Sequence, residues 1–201
     1  MCSFFRSSVF VVLLGVVALS FLFSASATLA AGEPVASYNF DQAAGTLLND
    51  ISGNGNNGTL TNGPTWMTGK NAGGLQFDGT NDYVEVANST VLNITGNKLT
   101  LSAWVYPTTT SGTRIIMGKP VSATAHTSPY FSYGLYAINN NRVTFYLRTG
   151  NTNRTLTTPS SQTLTLNTWN HVTAVYSGTT MKIYLNGVER ATLNATGNIA
   201  S

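Results

Sequence analysis

The stretch WNHVTAVYSGTTMKIYLNGVE, residues 169–189, settles the fold class. Apolar and polar side chains alternate along 169–176 and again along 182–186, the period of a strand with one buried face. Between these segments Ser177, Gly178, Thr179 and Thr180 form a hairpin connection. The second segment ends on Asn186-Gly187, the pair that a type I′ turn demands because both central residues take positive φ. With a third strand over 188–194, the region is an antiparallel meander and no helix fits it.

The same punctuation runs through the chain from Pro34 onward. Short strands rich in Val, Thr, Tyr and Phe are expected over 35–40, 74–78, 83–87, 99–106, 114–119, 130–138 and 142–148, besides the three above. The AINNNRV stretch around Asn140 is a further hairpin signal. No segment keeps apolar residues at i, i+3, i+4 and i+7 for three turns, so the domain is expected to be all-β, an antiparallel sandwich. Alternation then sorts the faces. Leu99, Leu101, Ala103 and Val105 oppose Ser102, Trp104 and Tyr106, while Val143, Phe145 and Leu147 oppose Thr144, Tyr146 and Arg148. Trp104, Tyr106, Tyr146 and Arg148 are therefore candidate ligand-binding residues, since aromatic faces stack on sugar rings and Arg donates to hydroxyls. Core packing is the commoner fate of a Trp in SAWV or TWNHV, and it stands beside that reading for Trp104 and Trp169.

Gly53, Gly55 and Gly58 in SGNGNNGTL match the glycine spacing of a dinucleotide loop. That loop works by opening a helix whose N–H groups hold a pyrophosphate. Here TLTNGPTW follows, with β-branched threonines, a second Asn-Gly and Pro64, so the glycines make turns and no nucleotide is expected.

A different logic governs the N-terminus. One arginine, an apolar run over 9–23 and the small residues of SASATLAAG form a secretory signal peptide over 1–30, cut within 27–31. A membrane anchor would need roughly 20 apolar residues, so no membrane association is expected after cleavage. Cys2 leaves with the leader, and the mature chain has neither disulfide nor thiol chemistry. Nine basic against seven acidic residues then remain, spread along the chain, which is no nucleic-acid footprint. With charged residues at 8%, Thr, Asn, Ser and Gly must cover the surface, as suits a secreted or cell-surface β domain, and 201 residues suit one domain.

Reactive groups are sparse. Glycoside hydrolysis needs two carboxylates about one bond, but Glu33, Glu85 and Glu189 sit in separate segments and Asp82 and Glu85 point to opposite faces. His126 and His171 have no partner to complete a zinc set, and His171 suits a hydrogen-bonded strand position. No G-x-S-x-G elbow is present. Asp50 and Asp78, in Gly- and Asn-rich loops, are candidate ligands of a structural Ca2+, and both equally suit Asx-turns. Five sequons, at Asn57, Asn88, Asn93, Asn153 and Asn194, follow from an Asn- and Thr-rich composition.

Four blocks in order, YNFDQAAGTLLNDISGNGNNGTLTNGPTW, GGLQFDGTNDYVEV, LTLSAWVYP and WNHVTAVYSGTTMKIYLNGVE, resemble the laminin-G-like, concanavalin A-like lectin-glucanase domains of secreted bacterial proteins. The resemblance implies a two-sheet jelly roll over 34–201, with ligand sites on a concave face or on rim loops, and a structural calcium between the sandwich ends. It also implies further strands beyond NATGNIAS, so the jelly roll is expected to be C-terminally incomplete with its last strands missing. Function then falls between a non-catalytic module recognising a glycan or glycoconjugate, a structural or adhesive spacer of a longer extracellular protein, and an accessory domain of a polysaccharide-active enzyme.

Overall fold

The computed structural model describes residues 32–121 and 130–200. The leader, its cleavage span and His126 lie outside them. Thirteen strands run through the described residues: β1 (Leu47–Leu48), β2 (Gly58–Thr61), β3 (Thr65–Thr68), β4 (Gly73–Gln76), β5 (Tyr83–Val86), β6 (Leu99–Val105), β7 (Arg114–Pro120), β8 (Phe131–Ile138), β9 (Arg142–Thr149), β10 (Thr152–Thr157), β11 (Asn170–Tyr176), β12 (Thr180–Leu185) and β13 (Val188–Asn194). The only helical pieces among them are two single 3-10 turns, and no helix is long and apolar enough to cross a membrane.

The opening meander forms as its turns dictate. Asn186 and Gly187 take φ of 51° and 80°, and Leu185 pairs with Val188 around them. β6 joins antiparallel to the far side of β11, giving a sheet in the order β13-β12-β11-β6. A second meander makes the sheet β10-β9-β8-β7, in which Pro120 is tolerated because β7 is an edge strand. β1, β2 and β5 form a third, smaller sheet, and β3 and β4 a separate hairpin.

One face of each strand feeds a single core. Leu101, Ala103, Val172, Ala174, Met181 and Ile183 from the first sheet meet Leu135, Val143, Phe145 and Leu147 from the second, and Leu48, Val84 and Val86 of the third sheet join them. Burying each large side chain contributes about 1.5–3 kcal/mol, so period-two alternation holds the sandwich together. Tyr133 and Tyr176 are buried too and donate their hydroxyls to the Leu92 and Gly197 carbonyls at 2.8 and 2.6 Å, tying loops across the sandwich.

The antiparallel all-β sandwich is the expected one, but the strand inventory differs at the N-terminal side. The segment 35–40 is not a strand: Ala36, Ser37 and Tyr38 are buried in a loop whose Ser37 carbonyl accepts the Ile51 N–H at 2.8 Å. β1, β2, β3 and β10 are additional, being short or polar and flanked by Gly, Asn or Pro that otherwise signal turns.

Candidate functional site

The outer face of the β13-β12-β11-β6 sheet carries chemistry in register. Trp104 lies directly opposite His171, with ring centroids 5.0 Å apart. Two residues further on, Tyr106 meets Trp169 edge-on at 5.5 Å. Two residues the other way, Ser102 is opposite Thr173, which is opposite Tyr184, which is opposite Glu189. Side chains on one face of a strand repeat at about 6.6–6.8 Å and strands lie about 4.8 Å apart, so the four rings and the Thr173 and Tyr184 hydroxyls adjoin on this face, while Ser102 is buried.

Hydrogen bonds orient these groups. Ser102 Oγ lies 2.8 Å from His171 Nε2 and 3.2 Å from Thr173 Oγ1. Asn186 holds the His171 backbone on both sides: its Oδ1 accepts the His171 N–H at 2.8 Å, and its own N–H donates to the His171 carbonyl at 2.8 Å. Burial holds the imidazole below its ordinary pKa, so the ring is neutral at neutral pH. The Trp104 Nε1 is shut off from solvent with no acceptor in reach. Lys70, in the turn of the β3–β4 hairpin, sets its Nζ 5.1 Å from the centre of the Trp104 ring, a cation–π contact at the β6 edge.

A bulge shapes the opposite edge. Ile183 pairs with Ala191 but Tyr184 pairs with Glu189, leaving Arg190 as the extra residue. The shift brings Glu189 to the outer face, where its Oε2 accepts from Lys182 Nζ at 2.8 Å and from the Tyr184 hydroxyl at 3.4 Å. Glu189 in turn raises the Lys182 pKa, chiefly through that hydrogen bond.

The structure separates the four candidate ligand residues. Trp104 and Tyr106 lie on the outer face just described. Tyr146 and Arg148 lie on β9, on the outer face of the other sheet, opposite Thr155 and Asn153 of β10. Two packed sheets stand about 10 Å apart with their outer faces turned away from each other, so these pairs form no common surface. Core packing is not the fate of either tryptophan, since Trp104 and Trp169 are only half-buried and absent from the core. Trp169, His171 and Tyr184 complete the surface. Alternation already placed Trp169 and His171 on one face of β11, but which sheet neighbours they would have was not legible.

Asp50 and Asp78 do not come together either. Asp50 sits beyond the end of the β2–β5 pair where Gly58 faces Val86, whereas Asp78 and Asp82 lie beyond the opposite end, where Thr61 faces Tyr83. Asp50 Oδ1 accepts the N–H groups of Ser37 and Ser52 at 3.0 and 2.9 Å, and Oδ2 accepts the Ser52 hydroxyl and the Asn56 N–H at 2.8 and 2.9 Å. Partial burial pushes this carboxyl up, but those four donors outweigh it and hold it below its ordinary value. Asp78 Oδ1 accepts the Thr80 N–H at 2.8 Å, which holds that carboxyl low as well. Both are Asx-turn anchors, and they do not fit a shared Ca2+. Among the described residues, no group of three or more His, Cys, Asp or Glu side chains is arranged to hold a metal ion.

The model of the Concanavalin A-like lectin/glucanases superfamily, in its laminin-G form, matches residues 78–201. None of the curated proteins matches the chain. Among solved structures, domain 4 of AbnA, a GH43 extracellular arabinanase from Geobacillus stearothermophilus in complex with arabinotriose, superposes with a TM-score of 0.60 at 17% identity, covering 83% of this chain and 78% of that one. An S-layer domain-containing protein from Clostridium thermocellum gives a TM-score of 0.50 at 27% identity over 81% of this chain and 73% of that one. The binding domain of Paraclostridial Mosquitocidal Protein 1 gives 0.55 at 15% identity over 77% of this chain and 39% of that one. The arabinanase and mosquitocidal likenesses are of fold alone.

Proposed function

The chain belongs to the Concanavalin A-like lectin/glucanases superfamily, and from that premise we propose that it is a secreted, non-catalytic module that binds a carbohydrate or surface glycoconjugate through the outer face of the β13-β12-β11-β6 sheet. The observation that carries this reading is the row of Tyr106–Trp169 and Trp104–His171 ring pairs beside the hydroxyls of Thr173 and Tyr184, with the buried Ser102 hydroxyl bonded to His171 and Thr173. A sugar offers C–H faces to aromatic rings and hydroxyls to polar neighbours, and this surface presents both in adjacent rows. Glu189 is the one carboxylate on these four strands, and its bond to Lys182 leaves no acid–base pair of the kind glycoside hydrolysis uses. The likenesses to a domain of an extracellular arabinanase in complex with arabinotriose and to part of an S-layer domain-containing protein support the carbohydrate and extracellular parts of the reading. Secretion rests on the leader over 1–30.

A glycan array probed with the mature chain tests the proposal. Binding that is lost on Trp104→Ala or Tyr106→Ala, with thermal stability unchanged, is the expected result. A blank array from a well-folded chain would count against it and favour a spacer role.

A further inference from the structure

Away from the sheet face, the turn at 40–43 and the β3–β4 hairpin border an open cleft of about 350 Å3, lined by Asp41, Ala43, Trp66, Thr68, Ala72 and Gly73 together with Met67. Its backbone is unusual. Phe40, Ala43 and Ala72 take φ of 61°, 58° and 85°, a left-handed region that costs a residue with a Cβ about 1–2 kcal/mol. Gly73 is packed so closely that a Cβ there would lie 1.9 Å from the Phe40 carbonyl oxygen, and one on Gly69 would lie 1.9 Å from the Gly73 oxygen. Hairpin and turn therefore meet backbone to backbone, and two of the strained residues, Ala43 and Ala72, wall the cleft.

The polar groups are held in place. Asp41 Oδ1 accepts the Gly73 N–H at 3.1 Å, which leaves its second oxygen open. Trp66 donates its Nε1 to the Gly45 carbonyl at 2.8 Å, which fixes the indole as a wall. Thr68 adds an exposed hydroxyl. The volume is at the lower end for small-ligand sites, which suits a single sugar unit.

We propose that this cleft is a second carbohydrate subsite that takes one neutral sugar residue, its ring against Trp66 and its hydroxyls on Asp41 Oδ2 and Thr68 Oγ1. The inference rests on reading the chain as a glycan-binding module. Asp41 selects against uronates and sulfated sugars by charge, while the nearest turn cation, Lys70, is engaged over Trp104. The hairpin that walls the cleft thereby also touches the sheet face.

Titration of the 15N-labelled mature chain with arabinotriose, xylotriose, maltotriose and a trigalacturonate, followed by amide chemical shifts, tests this. The expected result is that at least one neutral trimer moves the Gly69, Ala72 and Gly73 amides and the Trp66 indole N–H, while trigalacturonate does not. Asp41→Asn keeps an Oδ1 acceptor for Gly73, so the melting temperature should hold while cleft affinity falls about tenfold. Thr68→Val, which leaves the hairpin bonds intact, should weaken it in the same direction. Shifts confined to Trp104, His171 and Trp169 overturn the cleft and leave the sheet-face reading standing. No shift anywhere with these trimers overturns the cleft and counts against both, as does unchanged cleft affinity in the two variants for the cleft alone.

Discussion

Trp104 and His171 face each other across β6 and β11, their rings tilted by 37° with centroids 5.0 Å apart. Lys70 sits on the same indole at 5.1 Å, so a charged imidazole would put a second cation beside it. The His171 pKa is held below its ordinary 6.5 by burial. The unfolded chain therefore binds the proton more readily than the folded one, and stability is fully present above the ordinary imidazole pKa and is lost as pH falls through the depressed value. Melting temperatures should drop on the acid side of pH 6.5 in the wild type, and this part of the pH dependence should vanish in His171→Gln. An identical acid limb in the variant would remove His171 from the account.

Asn186 serves both the turn and the site. It occupies a left-handed position at φ 51° and clips both backbone groups of His171. Asn186→Gly keeps the turn but removes the side-chain acceptor, and should cost about 1 kcal/mol. Asn186→Ala adds the left-handed penalty and should cost about 2 kcal/mol. Denaturant unfolding measures both, and the glycine variant is the informative one, since a purely conformational role would leave it as stable as the parent.

Most of the sandwich was legible because its long strands bury one face. In β9, Val143, Phe145 and Leu147 are all fully buried and Tyr146 and Arg148 are not, as alternation required. β10 carries only Leu156 as a buried apolar side chain, and a strand of Thr, Asn and Arg at a sheet edge leaves no period to detect. The site was half legible for a related reason. Alternation says which side of its own strand a residue occupies, so Trp104 and Tyr146 looked alike. Only the pairing of β6 with β11, a contact between segments some seventy residues apart, put them on different sheets.

Asp50 is a loop staple by the geometry of its four donors. Asp50→Asn replaces one acceptor oxygen with an amide that confronts N–H and O–H donors, and should destabilise the domain by about 1–3 kcal/mol. Because the folded carboxyl titrates below its ordinary 3.8, the stabilisation is present above that pH and is lost as pH falls through the depressed value. With its lone pairs taken, added Ca2+ should leave the Ser37, Ser52 and Asn56 amide signals where they are. Movement of those three signals with calcium would mean that the loop opens to ligate it.

The two outer faces can be told apart by how their aromatic rings stand. On the β10-β9-β8-β7 sheet, a Cβ on Gly134 would lie 2.9 Å from the Tyr136 ring and one on Gly118 2.9 Å from the Phe131 ring, so these rings lie down over positions that lack side chains. They cover the sheet. Tyr146 is half-buried in that layer, its hydroxyl pKa raised by burial, and Arg148 donates to the nearby Asn151 at 3.3 Å. On the other sheet Tyr106 and Trp169 meet edge to face, leaving ring surface for a ligand, and Tyr106 remains 43% exposed. Trp169→Ala should therefore lower glycan affinity about tenfold, as a central aromatic contact does, while Tyr146→Ala and Arg148→Ala leave it within about twofold. Calorimetric titration of the three variants against one array-selected glycan decides it, for the reverse order would move the binding surface to β9 and leave the Trp104 face as skin.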